Sequence, residues 1–208
     1  MEFSDVVRRR RMVRRYDPDR PVPRETVERC LQHAVRAPSA GFSQGWDFLV
    51  LTDEAERELF WRTTTSPEAP SDTWLSGIRQ APVLILCLSD KEAYLDRYAA
   101  PDKGWTDRDE SRWPVPYWDI DTGMAALLML LTAVDEGLGG LFFGVPPSHH
   151  EAVKTAFGIP AARRVVGVVS IGHSLPGPRS PSLRRTRRTA ADVAHWGRFG
   201  HRHPDGDV

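Results

Sequence analysis

Cysteine is nearly absent from this 208-residue chain: Cys30 and Cys87 are the only two. They lack CxxC spacing, which excludes a thiolate zinc site. Both lie in apolar patterns, which predicts buried free thiols rather than a disulfide. Net charge is missing as well, with 28 basic against 28 acidic residues, and no nucleic-acid-binding motif is present, so a nucleic-acid partner is not expected. No apolar run approaches the ~18 residues of a membrane span. The start, Met1-Glu2-Phe3-Ser4-Asp5, has no signal-type apolar stretch; a cytoplasmic protein without a membrane partner is the expectation. No GxGxxG follows a strand pattern and GK[ST] is absent, so neither a Rossmann site nor a phosphate loop is supported. His149-His150 opens a helix and His201/His203 sits in a polar tail, so no metal site is expected.

What is present describes a globular protein: 40% hydrophobic and 27% charged residues, in a length that suits one domain or one protomer of an intertwined dimer. A short helix begins near Ser4. Val27, Cys30, Leu31, Ala34 and Val35 form one apolar face of a helix that follows Pro23; Pro38 and Gly41 end it. Phe48 to Leu51 reads as a strand, and Asp53 as the cap of a helix through about Arg62. Residues 63–72 read as a loop and Thr73 to Arg79 as a short helix. Val83 to Leu88 is a continuous apolar run suited to a central strand. Asp96 to Tyr117 looks irregular, and a loop so long is usually functional or mobile. From Asp119 to Glu136 apolar residues cover nearly every face of a helix, which predicts burial in a core or an interface. Asp119 and Asp121 read as its start. A short strand at Leu141-Phe142-Phe143, a helix His150–Phe157 and a strand Val165–Ile171 follow. The alternation is too irregular for a parallel βαβ series, so the class is α+β.

Arginine is unevenly placed. It makes up 25 of the 28 bases, six of them between Arg8 and Arg15 and five between Arg179 and Arg188. Its planar fork suits phosphate. The two clusters therefore read either as one anion site or as a solvated helix face and a basic tail.

Three segments resemble the FMN-dependent nitroreductase family. Arg10-Arg11-Met12-Val13-Arg14-Arg15-Tyr16, followed by Pro21-Val22-Pro23, is similar to the family's opening basic signature. Ala37-Pro38-Ser39-Ala40-Gly41-Phe42-Ser43-Gln44-Gly45-Trp46 is similar to its APSAGNxQPW segment. Gly137-Leu138-Gly139-Gly140, a short strand and Gly144 form the third, and a basic C-terminal segment completes the order. The resemblance covers roughly residues 3 to 193, and it implies one nitroreductase-like domain over 1–193 with a polar tail over 194–208. It further implies a central mixed or antiparallel sheet flanked by helices, in an intertwined homodimer.

The resemblance also implies a site. Arg10, Arg11, Met12 and Arg14, with Arg184, Arg185 and Arg187, would lie at the FMN phosphate. Pro38, Ser39, Ala40, Phe42 and Gln44 would approach the flavin from the partner subunit. The backbone at Phe143 and Gly144 would bond the ring. Phe42, Trp105, Trp113 and Tyr117 would face a flat acceptor by stacking. NAD(P)H would be the co-substrate in a ping-pong cycle. The cofactor would carry the chemistry, so no protein acid or base is assigned. Met12 stands for the usual Ser, Phe42 for the usual Asn and Gly45 for the usual Pro, while Phe143 replaces a residue often polar. Losing one neutral donor costs about 1 kcal/mol, too little to exclude FMN beside several arginines. A non-catalytic flavin- or deazaflavin-binding protein of the same fold is the alternative.

Overall fold

The computed structural model describes residues 1–65, 73–177 and 184–202. Part of the expected 63–72 loop, Arg179 and His203 lie outside the described residues. The chain divides into two compact units, Met1–Pro176 and Gly177–Val208.

In the first unit the elements run α1 (Phe3–Arg9), α2 (Arg24–Ala34), β1 (Trp46–Leu51), α3 (Glu54–Thr64), α4 (Thr73–Ile78), β2 (Val83–Asp90), α5 (Lys91–Tyr98), α6 (Tyr117–Asp135), β3 (Gly139–Phe143), α7 (His150–Phe157) and β4 (Arg163–Gly172). The four strands form one sheet in the order β1-β2-β4-β3, antiparallel at every pairing. The fold class is α+β, as the irregular alternation predicts.

Alternation along β2 decides which helices pack where, because successive side chains point to opposite faces of a sheet. Leu84, Leu86 and Leu88 join a cluster with Phe60 and Trp61 of α3, Ile78 of α4 and Val153 of α7. Val83, Ile85 and Cys87 join Cys30 and Ala34 of α2 with Ala125 and Met129 of α6. Helices therefore cover both faces, and β2 is buried along its length apart from its last residue. Each such large apolar side chain contributes roughly 1.5–3 kcal/mol relative to exposure. Both cysteines are free and buried, and burial pushes each thiol up to about 12.

Local chemistry explains the boundaries. Asp53 and Glu56 form a reciprocal capping box at the start of α3, which satisfies two orphan amides. Gly158 ends α7 in the left-handed conformation. One helix was not legible: α5 occupies Lys91–Tyr98, partly within the stretch expected to be irregular. The Asp90 side chain starts it by accepting from the Glu92 amide.

Helix α6, whose composition predicts burial in a core or an interface, is buried on one side within this chain and exposed on another. By length and composition alone it could cross a membrane, yet more than half of its most apolar window is buried inside the fold. Its buried face is built largely from Ala125, Ala126, Met129, Thr132 and Ala133. Ile120 and Leu127 stay 43% and 47% exposed. They lie two turns apart on one side of the helix.

In the second unit, α8 (Ala190–Val193) is capped by Thr189, whose side chain accepts from the Asp192 amide while Asp192 bonds back to the Thr189 amide. Arg202 donates to the carbonyls of Ala191 and Ala194.

Candidate functional site

The arginine segment leaves α1 at Arg10, whose amide still donates to the Val6 carbonyl. Beyond it the chain is extended along the sheet. The Val13 amide donates to the Gly140 carbonyl at 3.0 Å, and Met12 bridges to the same residue of β3. Val13 and Tyr16 point inward. The Tyr16 hydroxyl lies 2.9 Å from Ser170 Oγ and donates to the Val13 carbonyl; burial raises its pKa. Between and around these anchors, Arg10 and Arg14 are half-buried and Arg11 and Met12 exposed. Among the described residues, Arg10, Arg11 and Arg14 pair with no carboxylate. Other arginines are paired, Arg97 with Asp102, Arg108 with Glu92 and Asp96, Arg163 with Asp47 and Asp90, and Arg164 with Asp119, whereas Arg14 donates to the Met12 carbonyl at 3.3 Å.

The Pro38–Gln44 segment is a strained turn. Gly41, Phe42 and Gln44 all have positive φ, at 61°, 58° and 50°, a region that costs a non-glycine residue on the order of 1 kcal/mol or more. A side chain at Gly41 would come within 2.7 Å of the Tyr98 ring. Beside its backbone bonds, four hydrogen bonds that involve side chains hold the turn. The Gln44 amide donates to Ser39 Oγ, and Ser43 Oγ to the Ala40 carbonyl. Arg97 Nε donates to the Gly41 carbonyl at 3.0 Å, with its other nitrogens forked onto Asp102 at 2.7 and 2.6 Å. The Ala40 amide donates to Asp121 Oδ2 at 2.9 Å. The result presents Phe42 with 77% of its surface exposed. Asp121, read from sequence as part of a helix start, is buried and serves as an anchor. The signal was its position on the buried i, i+4 stripe with Ala125 and Met129.

The segment Asp96–Tyr117 closes over α5 and the start of α6. Trp113 is its centre, with Tyr98, Trp105, Tyr117, Tyr94 and Trp118 at 4.7, 5.6, 5.8, 5.9 and 5.9 Å between ring centroids. The Arg112 guanidinium lies over Trp105, a cation–π contact. Trp105 and Trp113 are half-buried in this cluster, whereas Tyr117 is exposed. Tyr98 belongs to the cluster and also backs Gly41, so the aromatic segment braces the strained turn.

Phe143 ends β3 and stacks on Trp61 at 5.8 Å and 11°. Phe60 and Trp74 meet its edges at 6.4 and 6.3 Å. Gly144 is exposed, and a side chain there would meet nothing within 4 Å. Trp61 and Trp74 carry no sequence signature; they reach Phe143 only through tertiary packing. Arg184, Arg185 and Arg187 are exposed within the second unit. Among the described residues no three His, Cys, Asp or Glu side chains converge as metal ligands. A separate cavity of about 370 Å³ is lined by Ser89, Trp118, Lys154, Arg163 and Arg164 among others. Its cations are already paired, Lys154 with Glu151 and the two arginines as above.

The architecture places the chain in a class. A nitroreductase family protein from Clostridium difficile 630 superposes with a TM-score of 0.69 at 22% identity, over 96% of this chain and 100% of that one. B. megaterium NfrA2 gives 0.73 at 18% identity, over 97% of this chain and 76% of that one. A structure from Desulfovibrio desulfuricans solved in complex with FMN gives 0.64 at 22% identity, over 91% and 98%. These define a nitroreductase-like fold. The family model described as Nitroreductase family matches residues 7–173, and the chain belongs to that family, an oxidoreductase family. Among sequence relatives, a Thermus thermophilus protein named NADH dehydrogenase is 28% identical over 192 residues, covering 83% of this chain and 87% of its own length. An Archaeoglobus fulgidus protein assigned by name to the NADH dehydrogenase/NAD(P)H nitroreductases is 28% identical over 174 residues, covering 83% and 85%.

Proposed function

We propose that this chain is an FMN-dependent oxidoreductase that moves electrons from NAD(P)H to nitroaromatic, quinone or similar flat acceptors, working as a cytoplasmic homodimer. The observation that carries the reading is the set of arginines without carboxylate partners on a segment bridged to β3, the strand that ends at Phe143 and opens at Gly144. A phosphate monoester needs several forked donors without competing carboxylates, and Arg10, Arg11 and Arg14 fit that need. The family resemblance implies the same role for Arg184, Arg185 and Arg187. The open space at Gly144 fits the close approach of a flat ring to backbone.

The chemistry FMN supplies when bound is two-electron transfer, hydride acceptance from NAD(P)H and then release to the acceptor, in ping-pong order. The protein's part is binding and positioning. Backbone donors at Phe143 and Gly144 would bond the polar ring edge and stabilise negative charge developing there. Pro38, Ser39, Ala40, Phe42 and Gln44 of one protomer would cover the site of the other, held rigid by Asp121 and Arg97. Met12 would lie beside the phosphate without donating a side-chain hydrogen bond. Phe42 and Tyr117 offer exposed rings to an acceptor, with Trp105 and Trp113 behind Tyr117 and the turn. The stripe of Ile120 and Leu127 on α6 supplies an apolar surface for the second copy.

The visible spectrum of the purified protein, alone and after NADPH, tests this reading. Expected are flavin bands near those of FMN, bleaching on NADPH, and recovery on adding a quinone. A bound chromophore that NADPH and NADH both fail to bleach would favour the non-catalytic binding protein, and absence of flavin binding would overturn the assignment.

A further inference from the structure

Helix α4 joins the two ends of the proposed flavin cradle. At Gly77 its backbone touches the arginine segment: a side chain there would lie 2.2 Å from the Arg14 carbonyl oxygen, so only glycine permits the approach. Three residues earlier, Trp74 lies on the same side of the helix, since positions i and i+3 are neighbours on a helix surface. Its ring meets Phe143 edge-on, at 6.3 Å and 89°. Phe143 cannot easily yield, being stacked on Trp61, which is itself packed against Phe60 at 4.9 Å and covered by the Arg79 guanidinium. Phe60 and Trp61 are buried and Phe143 is half-buried, whereas Trp74 is 40% exposed. It is the outermost ring of a rigid ladder, directly beside the residue that precedes Gly144.

We propose that Trp74 is a specificity-determining residue for the electron acceptor, providing a fixed aromatic surface against which flat aromatic acceptors stack. This rests on the flavin reading above. An offset or edge-on aromatic contact adds to area burial, and a ring already immobilised by its neighbours loses little entropy when a ligand meets it. Acceptors without an aromatic plane gain nothing from it. Trp74 thus separates acceptors by shape rather than by redox potential.

The test compares wild type, Trp74→Ala and Trp74→Phe as FMN-loaded protein. The ratio of kcat/KM for a bicyclic quinone to that for ferricyanide should fall about tenfold in Trp74→Ala and less than threefold in Trp74→Phe. Independently of turnover, calorimetric titration with p-nitrobenzoate should show about tenfold weaker binding to Trp74→Ala. FMN affinity, from quenching of flavin fluorescence, should change less than threefold. Equal losses for quinone and ferricyanide, or unchanged p-nitrobenzoate binding, would overturn the proposal while leaving the flavin reading intact. A wild-type protein that binds no FMN would overturn both. If Trp74→Ala is unfolded by circular dichroism, Trp74→Leu, which keeps bulk without the aromatic plane, takes its place with the same expected ratio.

Discussion

One oxygen of Asp121, Oδ2, accepts two hydrogen bonds: from the Ala40 amide at 2.9 Å and from the Tyr94 hydroxyl at 2.7 Å. A single buried carboxylate thereby ties the strained turn to both α5 and α6. Burial first, and then the Asp121 carboxylate, raise the Tyr94 pKa, so its proton stays in place across ordinary conditions.

Truncating Asp121 should therefore be costly. Asp121→Ala leaves the buried Tyr94 hydroxyl and the half-buried Ala40 amide without their acceptor, and such a donor costs roughly 1–3 kcal/mol when fully buried and less when half-buried, for a loss of about 2–4 kcal/mol in urea unfolding. Asp121→Asn keeps an accepting oxygen and should lose about 1 kcal/mol. Equal midpoints for Asp121→Ala and wild type would show that the carboxylate anchors nothing.

Arg14→Ala should purify with much less flavin. A hydrogen bond to a charged group contributes ~1.5–3 kcal/mol, so FMN affinity should drop roughly ten- to a hundredfold. Riboflavin, which lacks the phosphate, should bind variant and wild type about equally weakly. Parallel losses for both ligands would point to general destabilisation instead.

The clamp on the turn should resist acid. The Arg97 fork holds the Asp102 carboxyl at about 2, down from the usual 3.8. A depressed carboxyl contributes in full above its unfolded value and loses that contribution as pH falls toward its folded value. The Arg97–Asp102 pair should thus be complete at pH 5 and lost between about 3.8 and 2. Carbon-detected NMR should find the Asp102 midpoint near 2 in wild type and back in the ordinary aspartate range in Arg97→Ala. An ordinary midpoint in wild type would mean that the fork does not form in solution.

Leu127→Lys should separate the proposed dimer. A lysine in the exposed apolar stripe of α6 would place a charge in a desolvated contact. Sedimentation equilibrium should show a dimer for wild type and mostly monomer for the variant, with flavin lost alongside. A wild-type monomer that holds flavin would remove the second copy from the reading.

Local rules made much of the fold legible. The apolar run Val83–Leu88 announced the central strand because burial on both faces needs no alternation, and the 3.6-residue spacing from Val27 to Ala34 announced α2, although Val35, expected on the same face, is its exposed C-cap. Helix α5 was not announced: Tyr94 and Leu95 are its buried residues, and the rings that Tyr94 meets are 19 or more positions away at Trp113 and Trp118. Asp121 failed for the same reason. A carboxylate near a helix start is favourable on local grounds, and only tertiary contact with Ala40 and Tyr94 reveals it as an anchor. Around the candidate site, the arginine segment and the turn were readable as ordered motifs. Trp61 and Trp74 were not, because their significance lies wholly in meeting Phe143.

The left-handed backbone at Phe42 sets two pressures against each other. Glycine or asparagine there would relax the turn and raise heat tolerance, but would remove the exposed ring. A library randomised at codon 42 would accordingly diverge under two screens. Survival of heating would enrich the small or amide side chains, while turnover of a flat acceptor would retain the aromatic.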